Sequence, residues 1–182
     1  MIFCGLDLSL TGSGVVVIGE DYSILHKCKL HVDALKSERL YLLEGLLLKI
    51  LEDFPKVDMA CIESPAYNDK GKLFEIGEWN GVVKLNLFKR GIPYIVAAPS
   101  QLKKYVLGVG DVEATKDLII LDVFKKFGVE IRENNIADAY VLSRIAHDYV
   151  IGDNSELKTY QKEVLAKIKS NKKAETKGKV LV

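Results

Sequence analysis

Three acids stand where an apolar run meets a polar turn. Asp7 closes an apolar run over residues 2–7, Glu63 closes another over 57–63, and Asp138 falls in the first turn of a helical pattern over 135–149. Strand ends beside a helix N-terminus are natural places for a site. One acid there means little. Three brought together repel one another, and a divalent cation is what relieves that repulsion. Oxygen donors without histidine or cysteine suit magnesium or manganese. Two such ions about 4 Å apart can activate a water, hold a phosphate diester and stabilise its leaving oxygen. A turn capped by Asp7 and a helix N-terminus favoured by Asp138 would account for the same residues without metal. Spacing alone leaves both readings open.

The elements that must position these acids can be read from periodicity. Residues 2–7 and 14–18 are short apolar runs separated by the turn-like Ser9-Leu10-Thr11-Gly12-Ser13, and a third run over 24–32 alternates in its second half. These predict three antiparallel strands. Ser37 is the expected N-cap of a helix that presents Leu40, Leu43, Leu47, Ile50, Leu51 and Phe54 on one face and stops at Pro55. A strand over 57–63, a helix over 72–90, a strand over 92–98 and a short helix over 99–107 follow. Gly108-Val109-Gly110 breaks the chain before helices over 114–127 and 135–149. A last lysine-rich helix begins near Ser155, and the low-complexity tail from about Lys169 is expected to be disordered at its end. Three strands in a meander followed by alternating helices and strands imply an α/β protein with a mixed five-stranded sheet flanked by helices. The expected division is a main domain over 1–150 and a lysine-rich helix and tail over 151–182.

Composition narrows the class. The chain has 182 residues, 48% of them hydrophobic, and a formal net charge of +1, which is ordinary for a soluble globular protein. The weak net charge hides an asymmetry: from Glu156 onward there are eight lysines against three glutamates. That tail can be a solvated helix or a polyanion contact. Cys4, Cys28 and Cys61 are odd in number, widely spaced and set in strand-like runs, which points to buried reduced thiols. With no signal region and no apolar run of membrane-spanning length, a cytoplasmic location is expected.

Five segments, in order, resemble the motifs of the RuvC-type Holliday junction resolvases. Gly5-Leu6-Asp7, followed by a turn and Gly14-Val15, is similar to their first motif, and Cys61-Ile62-Glu63 to their second. Gly77-Glu78-Trp79-Asn80-Gly81-Val82 fits their Gly-x-x-x-Gly-Val helix. Residues 99–110, with Lys103 and Lys104 and ending Gly108-Val109-Gly110, resemble their Pro-x-x-Val-Lys segment, with Lys116 near the next basic position. Asn135-Ile136-Ala137-Asp138-Ala139-Tyr140 resembles their Asp-x-Ala-Asp-Ala-Leu signature. The match covers roughly residues 1–150, and its compact motif set looks most like phage-encoded members.

The resemblance implies an RNase H-like fold, a homodimer, and an endodeoxyribonuclease that cuts four-way DNA junctions symmetrically with magnesium, or manganese as a substitute. It carries over Asp7, Glu63 and Asp138 as metal ligands. Lys103, Lys104 and Lys116 become contacts to DNA phosphates, Lys103 closest to the chemistry, and the helix with Gly77 and Gly81 lies near the dimer interface. The family's first acid of the helical pair is Asn135 here. It stands three residues before Asp138 on the same helix face, where it can cap the helix or offer an amide oxygen to the metal. Tyr67 is the nearest aromatic after Glu63 for wedging into a junction. Trp79 is expected in the core or an interface, and His147 as a contact to its helix C-terminus.

Other readings share parts of this pattern. Actin-like and sugar-kinase-like ATPases also open with strand, Asp, turn and Gly, but they need two domains around a nucleotide, and no second Gly-rich phosphate loop is present. A nuclease of the same fold acting on RNA, flaps or forks fits the motifs as they stand. So does a junction-binding protein impaired in catalysis, with Asn135 as its mark.

Overall fold

The computed structural model describes residues 1–65, 73–110, 116–152 and 157–175, with backbone alone at 116 and 172–175. The strands are β1 (Ile2–Asp7), β2 (Ser13–Gly19), β3 (Ile24–Leu30), β4 (Met59–Glu63) and β5 (Tyr94–Ala97). The helices are α1 (Lys36–Asp53), α2 (Leu73–Lys89), α3 (Pro99–Leu107), α4 (Lys116–Phe127), α5 (Asn134–Ile151) and α6 (Thr159–Glu175).

The five strands form one sheet in the order β3-β2-β1-β4-β5. β2 runs antiparallel to both β1 and β3, while β4 is parallel to β1 and β5 parallel to β4. The burial patterns follow from that order. β1 and β2 lie inside the sheet with both faces covered, so they are continuous apolar runs. β3 is an edge strand and alternates polar with apolar.

Each face of the sheet has its own core. On one side Leu43, Leu47 and Leu51 of α1 and Trp79, Val83 and Leu87 of α2 pack on Cys4, Leu6, Val15, Val17 and Ile62. On the other, Phe3, Val16, Ile18 and Cys61 meet α5, and the residues of α3, α4 and α6 continue this second core. Alternate side chains of one strand serve opposite cores, as the two-residue period of a strand requires.

Several boundaries differ from the sequence expectation for local reasons. Ser37 does not cap α1: the helix begins at Lys36, and the cap position is Leu35, extended and without a side-chain hydrogen bond. β5 starts at Tyr94 because Pro93 has no N–H to give a ladder. α6 begins at Thr159 and continues to Glu175. Ser155 lies outside the described residues. Cys4, Cys28 and Cys61 are free thiols, and burial pushes Cys4 up to about 12, out of reach of ordinary thiolate chemistry. Among the described residues no helix is long and apolar enough to cross a membrane.

Candidate active site

Parallel pairing of β1 and β4 sets Leu6 opposite Ile62, so the next residues, Asp7 and Glu63, end neighbouring strands side by side. Adjacent strands are about 4.8 Å apart, and the two carboxyl groups are hydrogen-bonded to each other. Asp7 is 7% exposed. Glu63 is pushed up from an ordinary carboxylate value to about 9, first by burial, then by the Asp7 charge, the hydrogen bond to Asp7 and the charge of Asp138. Lys103 on α3 acts in the opposite direction, favouring the ionised carboxylate.

Asp138 reaches this pair because α5 lies directly on the sheet. A Cβ at Gly5 would come within 1.9 Å of the Ala139 carbonyl oxygen, and one at Gly14 within 1.9 Å of the Asn135 carbonyl oxygen. Only glycine allows so close an approach of helix to strand. The first turn of α5, with its exposed backbone N–H groups and positive dipole end, is thereby brought to the carboxylate cluster.

Asn135 is not the cap of α5. The cap position is Glu133, and Asn135 is already the second helical residue. Its Nδ2 donates to the Gly12 carbonyl at 2.7 Å and ties the β1–β2 turn to the helix. Ser13 holds the same turn from inside: its hydroxyl donates to the Ser9 carbonyl at 2.9 Å and accepts from the Ser9 N–H and from Trp79 Nε1 at 3.0 Å. Trp79 is fully buried, a core residue whose indole N–H anchors the turn that follows Asp7. Its role was not readable from α2 alone, because Ser13 lies 66 residues away in the chain.

The remaining expected residues are distributed unevenly. Lys103 is at the carboxylates. Lys104, its neighbour, turns instead to α6 and pairs with Glu163 at 2.6 Å. Lys116 opens α4, but its side chain, like the whole of Tyr67, lies outside the described residues. Gly77 and Gly81 face outward with nothing within 4 Å of a built Cβ, so no described backbone approaches them.

His147 makes no helix C-terminus contact. It is buried, with Nδ1 to Asp148 at 2.7 Å and Nε2 to the Glu20 carbonyl at 2.9 Å. Asp148 also accepts hydrogen bonds from the Tyr22 and Tyr105 hydroxyls. This polar cluster lies about ten residues, some 15 Å, along α5 from Asp138 and serves to join the β2–β3 turn, α3 and α5.

Asp7 and Asp138, which act on Glu63, bring carboxylate oxygens, the donors that suit a hard divalent cation. Among the described residues, no three histidine, cysteine, aspartate or glutamate side chains are drawn together closely enough to form a metal centre as they stand. The crowding is felt electrostatically, through the raised proton affinity of Glu63. A cavity of about 800 Å³ is lined by other residues, among them Ser64 and Pro65. The carboxylates themselves sit where the parallel strands β1 and β4 end.

The model of the family described as crossover junction endodeoxyribonuclease RuvC matches residues 4–147. The RuvC of Rhizobium johnstonii is 28% identical over 152 residues, 82% of this chain and 80% of that protein. The RuvC of Ruegeria pomeroyi is 35% identical over 78 residues, 42% of this chain and about half, 47%, of that protein. A structure of Thermus thermophilus RuvC in complex with a Holliday junction substrate superposes with a TM-score of 0.68 at 21% identity, over 84% of this chain and 97% of that one. The latter likeness is one of fold, and the fold is the RNase H-like sheet described above. With a family match that takes in both strand-end acids and the helical Asp138, the chain belongs to the RuvC family of crossover junction endodeoxyribonucleases.

Proposed function

We propose that the protein is a magnesium-dependent endonuclease that cuts four-way DNA junctions on opposed strands, acting as a homodimer. The observation that carries the site assignment is the state of Glu63: two further carboxylates crowd it, and the Lys103 charge opposes them. Asp7, Glu63 and Asp138 are the residues that would hold the ion, with manganese as a possible substitute for magnesium. A divalent ion bound there supplies Lewis acidity and lowers the pKa of a bound water.

The chain's own residues account for the rest. Lys103, beside Glu63, is placed to meet a phosphate oxygen as the diester enters. Asn135, Ser13 and Trp79 keep the turn after Asp7 in one conformation, so that Asp7 does not swing away from Glu63. Hydrolysis adds water across the P–O3′ bond and leaves a 5′-phosphate and a 3′-hydroxyl. Lys116 and Tyr67 are further proposed DNA contacts, on motif position alone. Lys104 contributes less in this reading, since Glu163 already offsets its charge.

The homodimer reading is supported by the outer face of α2. Phe74 is 86% exposed and Leu85 50%. Gly77 and Gly81 lie between them on the same stripe, uncovered. Exposed apolar side chains around two glycines form a surface on which a second helix can pack closely.

The test is cleavage of a synthetic four-way junction and of linear duplex, each in magnesium and in EDTA, by the wild type and by Asp7→Asn. Paired nicks on opposed strands are expected on the junction alone, with metal alone, and they disappear in Asp7→Asn while junction binding remains. Cutting in EDTA, or by Asp7→Asn at the wild-type rate, would overturn the site assignment. Equal cutting of flaps and forks would replace the substrate. Light scattering that gives a monomer would remove the second copy.

A further inference from the structure

Directly opposite residues of neighbouring strands share a row and a face of the sheet. One such row runs through the carboxylate site. Asp7 of β1 stands opposite Gly14 of β2, and Gly14 opposite Lys29 of β3. A Cβ at Gly14 would point into α5, so the side chains of Asp7 and Lys29 also leave the sheet on the α5 side. With strands about 4.8 Å apart, the backbone of Lys29 lies about 10 Å from that of Asp7. Gly14, the position between them, carries no side chain.

The Lys29 side chain leans out of that row onto the turn that follows Asp7. A Cβ at Gly12 would fall on the Lys29 Cε and lie 3.1 Å from its Nζ. The aliphatic stem therefore crosses the bare Gly12, and the ammonium is carried onto the turn. That turn is held from both sides. His31, two residues beyond Lys29, donates from Nδ1 to the Thr11 carbonyl at 2.9 Å, and Asn135 donates to the Gly12 carbonyl. Lys29 pairs with Glu133 at 3.8 Å, and the two side chains are 42% and 59% exposed. An exposed pair at that distance is weak, and it gives way to an anion that comes closer. Arg132, in the same groove, is bound to Glu130 at 2.8 Å, so less of its charge is left for another anion.

Three acids repel the phosphates of a nucleic-acid strand that crosses them, and an ion held by them acts mainly on the phosphate it touches. Cations that flank the acids let the strand continue on either side. Lys103 acts on Glu63 from α3, which follows β5, and so stands on the β4 side of the carboxylates. Lys29 stands on the opposite side, beyond β2. Each strand of duplex DNA carries one phosphate per about 3.4 Å of axis. A phosphate about three places from the one at the carboxylates therefore comes level with Lys29.

We infer that Lys29 is a second phosphate contact of this site, across the carboxylates from Lys103, and holds the DNA strand where it passes the turn after Asp7. The inference rests on the nuclease reading. It is tested by binding of a synthetic four-way junction in EDTA, titrated at several salt concentrations, to the wild type, Lys29→Met, Lys29→Arg and Arg132→Met. Methionine keeps an apolar stem over Gly12 and removes the charge. In Lys29→Met the slope of log binding constant against log salt should fall by about 0.9, so its deficit grows about eight-fold for each ten-fold dilution of salt. Lys29→Arg should bind as the wild type does. The melting temperature of Lys29→Met should stay at the wild-type value, whereas loss of a residue that only holds the turn would lower it. Ethylation of a phosphate about three places from the cleaved one should weaken the wild type and leave Lys29→Met indifferent. A wild-type slope in Lys29→Met, an equal loss of slope in Arg132→Met, or no phosphate whose ethylation separates the two proteins overturns the inference and leaves the nuclease reading standing. A wild type that binds no DNA overturns both.

Discussion

The carbonyl oxygen of Asn135 occupies the space a side chain at Gly14 would need: a Cβ there would lie 1.9 Å from it. Gly5, on the neighbouring strand, stands in the same relation to the Ala139 carbonyl. Two bare strand positions let α5 rest on β1 and β2, and that depth puts Asp138 within electrostatic reach of Glu63. The distance between helix and sheet is therefore part of the site.

Gly14→Ala should lift the N-terminal turns of α5 from the sheet. Neither partner is a flexible side chain, so the expected loss is about 3 kcal/mol or more, at the upper end of overpacking effects. Cleavage should fall further than the loss of folded protein explains. Gly77→Ala is the contrasting case: nothing lies within 4 Å of its Cβ, and the better helix former should stabilise the monomer by up to about 1 kcal/mol. Thermal unfolding of the two variants side by side checks both, and a stable, active Gly14→Ala would disprove the close contact.

Without metal, Glu63 holds its proton through neutral pH, because its folded pKa is raised from 4.5 to about 9. A raised folded value stabilises the fold fully below the unfolded pKa, and that stability is lost as pH rises through the folded one. Between pH 4.5 and about 9 the metal-free protein should become progressively easier to unfold on this account. A divalent ion that replaces the proton should then raise the melting temperature more at pH 8.5 than at pH 6. Melting curves in magnesium and in EDTA at both values test this. Glu63→Gln should flatten the metal-free dependence, and a metal effect that does not vary with pH would sink the idea.

Lys103 and Lys104 are neighbours in sequence but face different partners. Lys103 acts on Glu63, whereas Lys104 is paired with Glu163 at 2.6 Å. If Lys103 meets a phosphate, Lys103→Ala should reduce the slope of log binding constant against log salt by about 1. Lys104→Ala should change it by much less. Junction binding titrated at several salt concentrations separates the two, and equal slopes for both variants would count against the assignment.

Asn135→Asp restores the acid typical of the family motif but removes the amide that donates to the Gly12 carbonyl at 2.7 Å. Carboxylate would then face carbonyl. A partly buried acceptor left without its donor costs about 1–3 kcal/mol, and the turn after Asp7 should loosen. Lower cleavage together with a lower melting temperature is expected. Higher cleavage in the variant would place position 135 at the metal.

Much of this was legible from residue order. Apolar runs that end in Asp7 and Glu63 become strands, because continuous apolar segments of that length must be buried on both faces. The helical pattern over 135–149 becomes α5 for the corresponding reason at a 3.6-residue period. Those local rules, with five motifs in family order, sufficed for the sheet and its helices.

Tertiary structure decided what depends on partners far apart in sequence. Asn135 is one of the best capping residues by type, yet it sits inside the helix because Gly12, brought near by the glycine contacts, offers a carbonyl to its amide. Trp79 anchors Ser13, and His147 and Asp148 draw in Glu20, Tyr22 and Tyr105, none of which any local pattern pairs. Lys103 and Lys104 differ only in the direction each takes from α3. Residue type and period determine which segments are strands and helices and which ends carry charge. The protonation of Glu63 and the partner each polar side chain finds are decided by packing, since burial and the nearest opposing group set both.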